Sequence, residues 1–324
     1  MALAPLVIMA NLLVFLVLPI LWQQCKRRRW LPPGPVTLPI IGNMHQMVWN
    51  KPAVFRWIHR LLKEMNTEVM CLRLGATHVI IVTCPKIARE VLRKNDKVLA
   101  SRPATFASGA FSFGYKGTIF SPYGEQWKKM RQVLTSEILA SSMEQKLHHI
   151  RKEEHNHLVR YIENMARTNN FVDVRQVAQH YCCNIIRSLV FGKRYFSNDI
   201  PASSTSGPQD DEVAHVVALF TALNHLYSLC VSDYFPALVG LDLEGHEMVS
   251  KNVMRVLNRL HDPIIEERIR ERSSALQKGG EKKVASDFLD ILVYLEDADG
   301  QPLLSVQEIR AQTTVSTVSQ PLWN

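Results

Sequence analysis

The sequence predicts a mainly α-helical protein with a small β-sheet near the N-terminus, lying behind an N-terminal transmembrane helix. Three observations support this prediction. An uncharged apolar run opens the chain, and two short β-rich runs follow before residue 90. From there onward, apolar residues recur at helical spacing. An apolar share of 47% over 324 residues is enough for a sizeable core in one large domain or two ordinary ones.

Residues 1–25 form the predicted transmembrane anchor. The run from Leu3 to Trp22 carries no charge, and at about 1.5 Å per residue it spans roughly 30 Å, the thickness of one bilayer core. The cations Lys26 to Arg29 follow this run, whereas a cleaved signal peptide has its basic residues first. The positive-inside rule then places the residues after Trp30 in the cytosol.

The basic net charge of +8 does not indicate a nucleic-acid partner, because a run of consecutive cations adjoins the apolar segment. Residues 26–36, basic and then rich in proline, are predicted to form a stiff hinge between the anchor and the body. The six cysteines have no regular spacing and include no Cys-x-x-Cys pair. They therefore predict neither a disulfide framework nor a zinc site.

The β-rich runs are Val69 to Leu74 and His78 to Val82, and Gly75 between them favours a hairpin. The glycine-rich, aromatic stretch from Phe106 to Ile119 is predicted to be a loop. Cys182 and Cys183 are interpreted as two small buried residues. Apolar periodicity and capping residues predict helices over these stretches: Phe55–Met65, Pro85–Lys94, Asp173 to about Gly192, Glu212–Cys230, Glu247–Arg272, Ser286–Leu295 and from Glu308 onward.

The stretch from Ser121 to Leu139 is predicted to be a central helix. Ser121 can cap it, Pro122 suits the first helical position, and Glu125 would face the positive end of the helix dipole. Apolar residues at helical spacing then form one face of this helix, namely Trp127, Met130, Leu134 and Ile138.

Arg131 lies one helical turn after Trp127, so its guanidinium is expected beside the indole N–H. Tryptophan offers one hydrogen-bond donor and arginine five, and neither side chain has an acceptor. Such a donor-only pair on a helix face suits a carboxylate or phosphate ligand. The alternative is an ordinary amphipathic helix with a core tryptophan and a solvated arginine.

A Trp-x-x-x-Arg motif after a Tyr-Gly-x-x-Trp lead resembles the C-helix of the cytochrome P-450 monooxygenases. From about Trp30 to Thr314, the chain closely resembles the plant amino-acid N-monooxygenase branch of that family. The likeness implies a truncated cytochrome P-450-like fold, with the N-terminal part of that domain at residues 37–314 and a divergent tail at 315–324. The stretches that carry it are Phe55–His59, Ser121–Leu139, His180–Cys182, Phe191–Phe196, Ser232–Pro236 and Ala311–Thr314.

The resemblance also implies a function. Haem would be the cofactor, with Trp127 and Arg131 holding its two propionates. The substrate would be an amino acid, N-hydroxylated towards an aldoxime with O₂ and with electrons from an NADPH-dependent reductase. The stretches Phe106–Ile119 and Glu212–Cys230 would line the substrate site. The protein would be a single-pass endoplasmic reticulum membrane protein with its body facing the cytosol.

The sequence departs from the family after Thr314. None of its cysteines stands in the Phe-x-x-Gly-x-Arg-x-Cys-x-Gly loop that supplies the family's axial thiolate, a ligand that favours O–O cleavage. The chain as written is therefore expected to contain no catalytic residue and no metal ligand, and to be inactive alone. The alternative hypothesis is a non-catalytic, truncated, membrane-anchored helical fragment or interaction protein.

Overall fold

The computed structural model describes residues 30–51, 53–138, 141–169, 171–194, 210–226, 228, 230–277 and 285–319. The predicted anchor, the cations Lys26 to Arg29 and the tail from residue 320 lie outside the described residues. The chain divides into two units. One holds the chain up to Ala100 together with Val231–Val239, and the other holds Ser101–Cys230 and Gly240–Asn324.

The secondary structure is mainly helical, with one antiparallel pair of strands, β1 (Val69–Leu74) and β2 (Thr77–Val82). The segments Glu90–Lys94 and Leu134–Ile138 are π-helical, and Pro236–Leu238 is a 3₁₀ turn. In chain order the helices are α1 (Met44–Trp49), α2 (Val54–Glu64), α3 (Pro85–Arg89), α4 (Asp96–Leu99), α5 (Phe106–Phe111), α6 (Glu125–Val133), α7 (Ser141–Asn169), α8 (Val174–Phe191), α9 (Asp210–Leu226), α10 (Val231–Tyr234), α11 (His246–Gln277), α12 (Phe288–Tyr294) and α13 (Val306–Ser319).

The first unit is built around the predicted hairpin, in which Val69 pairs with Val82 and Leu74 with Thr77. Gly75 makes the turn at a φ of +56°, and a Cβ there would lie 2.6 Å from the carbonyl oxygen of Tyr234. Glycine is required at this position on both counts. The core of the unit joins the hairpin to α2 through Trp57, Leu62, Met70 and Leu72.

The second unit has two apolar clusters that share helices. The first cluster joins α5, α8, α9, α11 and α13, with Phe111, Cys183, Leu219, Leu257 and Val315 among its members. The second joins α6, α8, α11, α12 and α13, with Met130, Phe191, Ile265, Leu289 and Ile309 among its members. Because α8, α11 and α13 contribute to both clusters, these three helices tie the unit together.

Among the described residues, one stretch, Asp211–Tyr234, is long and apolar enough to cross a membrane by length and composition alone. Within it, α9 buries Val216, Leu219 and Ala222 inside the second unit. A helix in the core of a protein can be equally long and apolar, so length and composition alone do not make this stretch a membrane span.

The predicted start of the central helix is wrong. α6 begins at Glu125 with Gly124 as its N-cap, so Ser121 does not cap it and Pro122 does not occupy its first position. The reason is that the buried Ser121 hydroxyl donates backwards, to the carbonyl oxygens of Tyr115 and Gly117. Glu125 does lie in the first turn, as predicted.

The stretch from Phe106 to Ile119 is not a loop throughout, because α5 occupies its first six residues. The signal for this helix was a capping box, in which Ser108 N donates to Thr105 Oγ1 and Thr105 N donates to Ser108 Oγ. Burial of Phe111 in the first cluster then stabilises the short helix.

The α8 prediction is confirmed at both ends. Asp173 Oδ1 accepts a hydrogen bond from Gln176 N at 3.1 Å, and Gly192 ends the helix in the left-handed region at a φ of +61°. The prediction of two buried cysteines holds for Cys183, whereas Cys182 is only half-buried.

Candidate functional site

α6 brings the predicted pair, Trp127 and Arg131, together. The guanidinium carbon of Arg131 lies 5.1 Å from the centre of the Trp127 ring. The ring of Tyr123, one turn earlier, lies 5.4 Å from the same indole in a tilted arrangement. Trp127 is half-buried and Arg131 is exposed, so the indole is held against the protein while the charged group reaches outward.

The donors of this pair are available to a ligand. Within the part of the chain that the structure describes, neither the Trp127 indole nor the Arg131 guanidinium donates a hydrogen bond to another side chain or to the backbone. A planar guanidinium beside an indole N–H can serve two carboxylate groups, and no acceptor of the pair itself would repel them. The pair therefore fits a ligand that carries carboxylates.

Another side of α6 is fixed to the protein. Met130 and Val133 are buried in the second cluster. Gln126 Nε2 and Lys129 Nζ both donate to Glu308 Oε1 of α13, at 3.0 and 2.8 Å. α6 is therefore held by apolar contacts and by one buried carboxylate.

Glu308 is ionised in this setting. Its side chain is 9% exposed, and its second oxygen, Oε2, accepts from both the backbone N–H and the hydroxyl of Ser305. Burial alone would raise the pKa of the carboxyl, but the hydrogen bonds from Lys129, Ser305 and Gln126 outweigh it and lower the pKa to about 2.

A second polar contact lies one turn further along α13. The Thr118 backbone N–H and hydroxyl donate to Gln312 Oε1 at 3.1 and 2.7 Å, and all of these groups are buried. The segment that leads into α6 is thereby tied to the same helix as Glu308.

Burial favours the neutral thiol at two of the described cysteines, Cys182 and Cys183. Burial raises the pKa of the Cys183 thiol to about 12 and also raises that of Cys182. Among the described residues, no group of three His, Cys, Asp or Glu side chains is placed to hold a metal ion.

Sequence reasoning found Trp127 and Arg131 but missed Glu308, Gln126 and Lys129. One signal for Glu308 was present, since Ser305-x-x-Glu308 is a capping box before a helix. The pairing with Lys129 had no local signal, because 179 residues separate the two side chains.

Comparison with known proteins decides the family. A family model described as Cytochrome P450 matches residues 32–318 of the chain. The chain belongs to the cytochrome P450 family. Membership confirms the predicted resemblance, the mainly helical fold with its small sheet, and haem as the cofactor of the family to which this P450 belongs.

The curated relatives of this P450 include plant amino-acid N-monooxygenases. It is 50% identical over 298 residues to tyrosine N-monooxygenase of Sorghum bicolor, covering 90% of this chain and 52% of that relative. It is 45% identical to valine N-monooxygenase 2 of Manihot esculenta, covering 93% and 54%. For tryptophan N-monooxygenase 1 of Arabidopsis thaliana the identity is 42%, covering 92% and 54%. The chain spans about half the length of the curated relatives it matches.

Proposed function

We propose that this P450 takes part in the N-hydroxylation of an α-amino acid on the way to an aldoxime. The proposal rests on the reaction that the named relatives share. Their names specify tyrosine, valine and tryptophan as substrates, yet all of them are N-monooxygenases. Because the reaction is common to them while the side chain varies, the reaction class is the transferable part. In this reaction one oxygen atom of O₂ goes to the amine nitrogen, and the other leaves as water with two electrons and two protons.

We propose that Trp127 and Arg131 hold the haem propionates. Haem, when bound, supplies the activation of oxygen. Trp127 and Arg131 would form the haem seat, the part of the protein that binds the propionates. The Arg131 guanidinium offers paired, charge-assisted donors, and the Trp127 indole adds a neutral donor. The exposure of Arg131 and the proximity of the two side chains support this role.

The substrate surface is proposed to involve α5 with the residues up to Ile119, together with α9. Phe113 and Ile119 are partly buried against the first cluster, which also contains Leu219 and Ala222 of α9. Both stretches therefore belong to one apolar neighbourhood, which suits a small molecule with an apolar or aromatic side chain.

The cellular setting is proposed from the sequence. The apolar run Leu3–Trp22, followed by Lys26 to Arg29, supports an endoplasmic reticulum anchor with the body in the cytosol. An NADPH-dependent reductase in the same membrane would deliver the electrons.

The test of the reaction uses the complete reading frame that contains this chain, expressed in yeast microsomes with an NADPH-dependent reductase. The microsomes are given each α-amino acid with NADPH, and products are identified by mass spectrometry. We expect an N-hydroxyamino acid or an aldoxime from at least one of them. A folded haem protein that oxygenates none of the amino acids would overturn the proposal.

A further inference from the structure

We infer that Glu308 is a positioning residue for the Trp127–Arg131 pair. Its carboxylate sets the rotation of α6 about its own axis and so the direction in which the two donors point. This inference rests on the proposed role of the pair in holding haem. It adds a residue from α13, far away in the sequence, to the propionate seat.

One carboxylate performs two tasks. Oε2 of Glu308 caps the first turn of α13, because it accepts from Ser305 N at 2.8 Å and from Ser305 Oγ at 2.9 Å. Oε1 accepts from Lys129 and Gln126 of α6. Since the cap fixes the carboxylate in place, the other oxygen is a stationary point to which α6 is attached.

Glu308 contacts one side of α6 rather than its end, so this contact restricts rotation of the helix about its own axis. Successive residues of an α-helix are turned by about 100°. Gln126, Lys129 and Met130 therefore share the side of α6 that meets Glu308 and the second cluster. Trp127 and Arg131 lie roughly a third of a turn away from that side. Any rotation permitted by loss of the carboxylate would turn both donors by the same angle.

The junction of Glu308 with Gln126 and Lys129 is supported by further hydrogen bonds around it. Gln126 Nε2 also donates to the carbonyl oxygen of Lys116 at 3.0 Å, and the Lys116 ammonium is hydrogen-bonded to Gln307. The start of α13 is thus bonded both to α6 and to the segment before it. Trp127 directly follows Gln126, so the first donor of the pair is adjacent in the chain to the junction.

The decisive variant is Glu308→Gln in the complete membrane-bound protein. A glutamine can keep an oxygen at Ser305 or at Lys129, but its other end is an amide that donates rather than accepts. Lys129→Met removes the partner charge, and the double variant tests whether the two act together. Arg131→Ala reports on the haem seat itself. Asp173→Ala is the structural control, because it removes an N-cap from α8 without touching α6.

Two measurements are made on each variant. The first is the rate of haem transfer to excess apomyoglobin, and the second is circular dichroism in the Soret band, which reports how haem is seated. We expect Glu308→Gln and Lys129→Met each to release haem about three- to tenfold faster than the unmodified protein and to change the Soret dichroism. The double variant should release haem no faster than either single variant, because the two side chains act through the same contact. Asp173→Ala is expected to lower the unfolding temperature but to leave both haem measurements unchanged.

The outcomes separate this inference from the proposed haem seat. If Arg131→Ala weakens haem binding while Glu308→Gln leaves release and dichroism unchanged, the positioning role is wrong and the seat stands. If Arg131→Ala has no effect, the seat is wrong and the positioning role falls with it. Equal changes in Glu308→Gln and Asp173→Ala would reduce Glu308 to a general stabiliser.

Discussion

Arg131 owes its proposed role to what surrounds it: an indole at 5.1 Å and, among the described residues, no acidic side chain that competes for the guanidinium. An arginine already paired with a carboxylate would offer a haem propionate much less. Glu125, the acidic residue in the first turn of the same helix, is paired with Lys128 at 2.7 Å.

We predict that Arg131→Ala in the complete protein weakens haem binding by about 2 kcal/mol, the typical contribution of a hydrogen bond to a charged group. Haem content per protein should fall after gel filtration and be restored by excess haem. Lys128→Ala is the matched control, since Lys128 is an exposed cation of the same helix bonded to Glu125. Lys129 would be a poor control because it is bonded to Glu308. Equal haem content in the two variants would return Arg131 to the role of a solvated surface residue.

A second feature at residue scale is the buried histidine pair between α9 and α11. His215 Nε2 and His261 Nε2 lie 2.9 Å apart, and both rings are almost fully buried. Burial, with Arg187 of α8 nearby, lowers the pKa of His261 to about 3. Burial, followed by the neighbouring His261 and Arg187, lowers the pKa of His215 well below its usual value. The pair is therefore neutral in the folded protein.

This pair predicts a loss of stability in mild acid. The unfolded imidazoles take up protons below about pH 6.5, whereas the folded His261 resists until about pH 3. The stability is therefore complete above pH 6.5 and declines as the pH falls towards 3. The urea midpoint of unfolding should be lower at pH 5.5 than at pH 7. This difference should shrink in the double variant His215→Leu/His261→Phe, which lacks both imidazoles. His149→Gln, an exposed control, should keep the full difference, and the idea fails if the double variant keeps it as well.

At the scale of elements, α11 is joined to α12 by one arginine. Arg268, 14% exposed, donates to Asp290 Oδ1 at 2.8 Å and to Asp287 Oδ2 at 3.0 Å. Asp287 is also the N-cap of α12, since its Oδ1 accepts from Asp290 N. The same two carboxylates thus start one helix and attach it to another.

We predict that Arg268→Ala destabilises the protein by about 3–5 kcal/mol, because it removes a cation that is hydrogen-bonded to two buried carboxylates. Arg259→Ala on the same helix should cost less than about 1 kcal/mol, since its ion pair with Asp211 is largely exposed on both sides. Chemical unfolding of the two variants measures the difference. A similar small loss in both would show that Asp287 and Asp290 are satisfied without Arg268.

At the scale of the whole molecule, the prediction concerns the membrane. The apolar run Leu3–Trp22 and the cations after it predict that the protein stays in the membrane pellet after carbonate extraction. Protease added from the cytosolic side should digest the residues after Trp30. A version lacking residues 1–25 serves as the control and should bind the membrane more weakly. Recovery of the intact protein in the soluble fraction would contradict the anchor.

Several local features could be predicted from the amino-acid sequence alone. The β1–β2 hairpin, the Asp173 cap of α8 and the approach of Arg131 to Trp127 all agree with prediction. Each of these features depends on residues within one turn of a helix or one hairpin, where side-chain chemistry and backbone geometry act directly. The cytochrome P450 resemblance was likewise readable, because its motifs are short and contiguous.

The start of α6 and the contacts that hold it could not be predicted, because both depend on tertiary packing. Ser121 had the chemistry of a cap, but its hydroxyl is turned towards Gly117 and buried, so the helix starts at Glu125. Lys129 is paired with Glu308 of α13, and no local sequence pattern indicates that contact. Both outcomes depend on which donors and acceptors packing brings together, and local periodicity carries no information about partners 179 residues away.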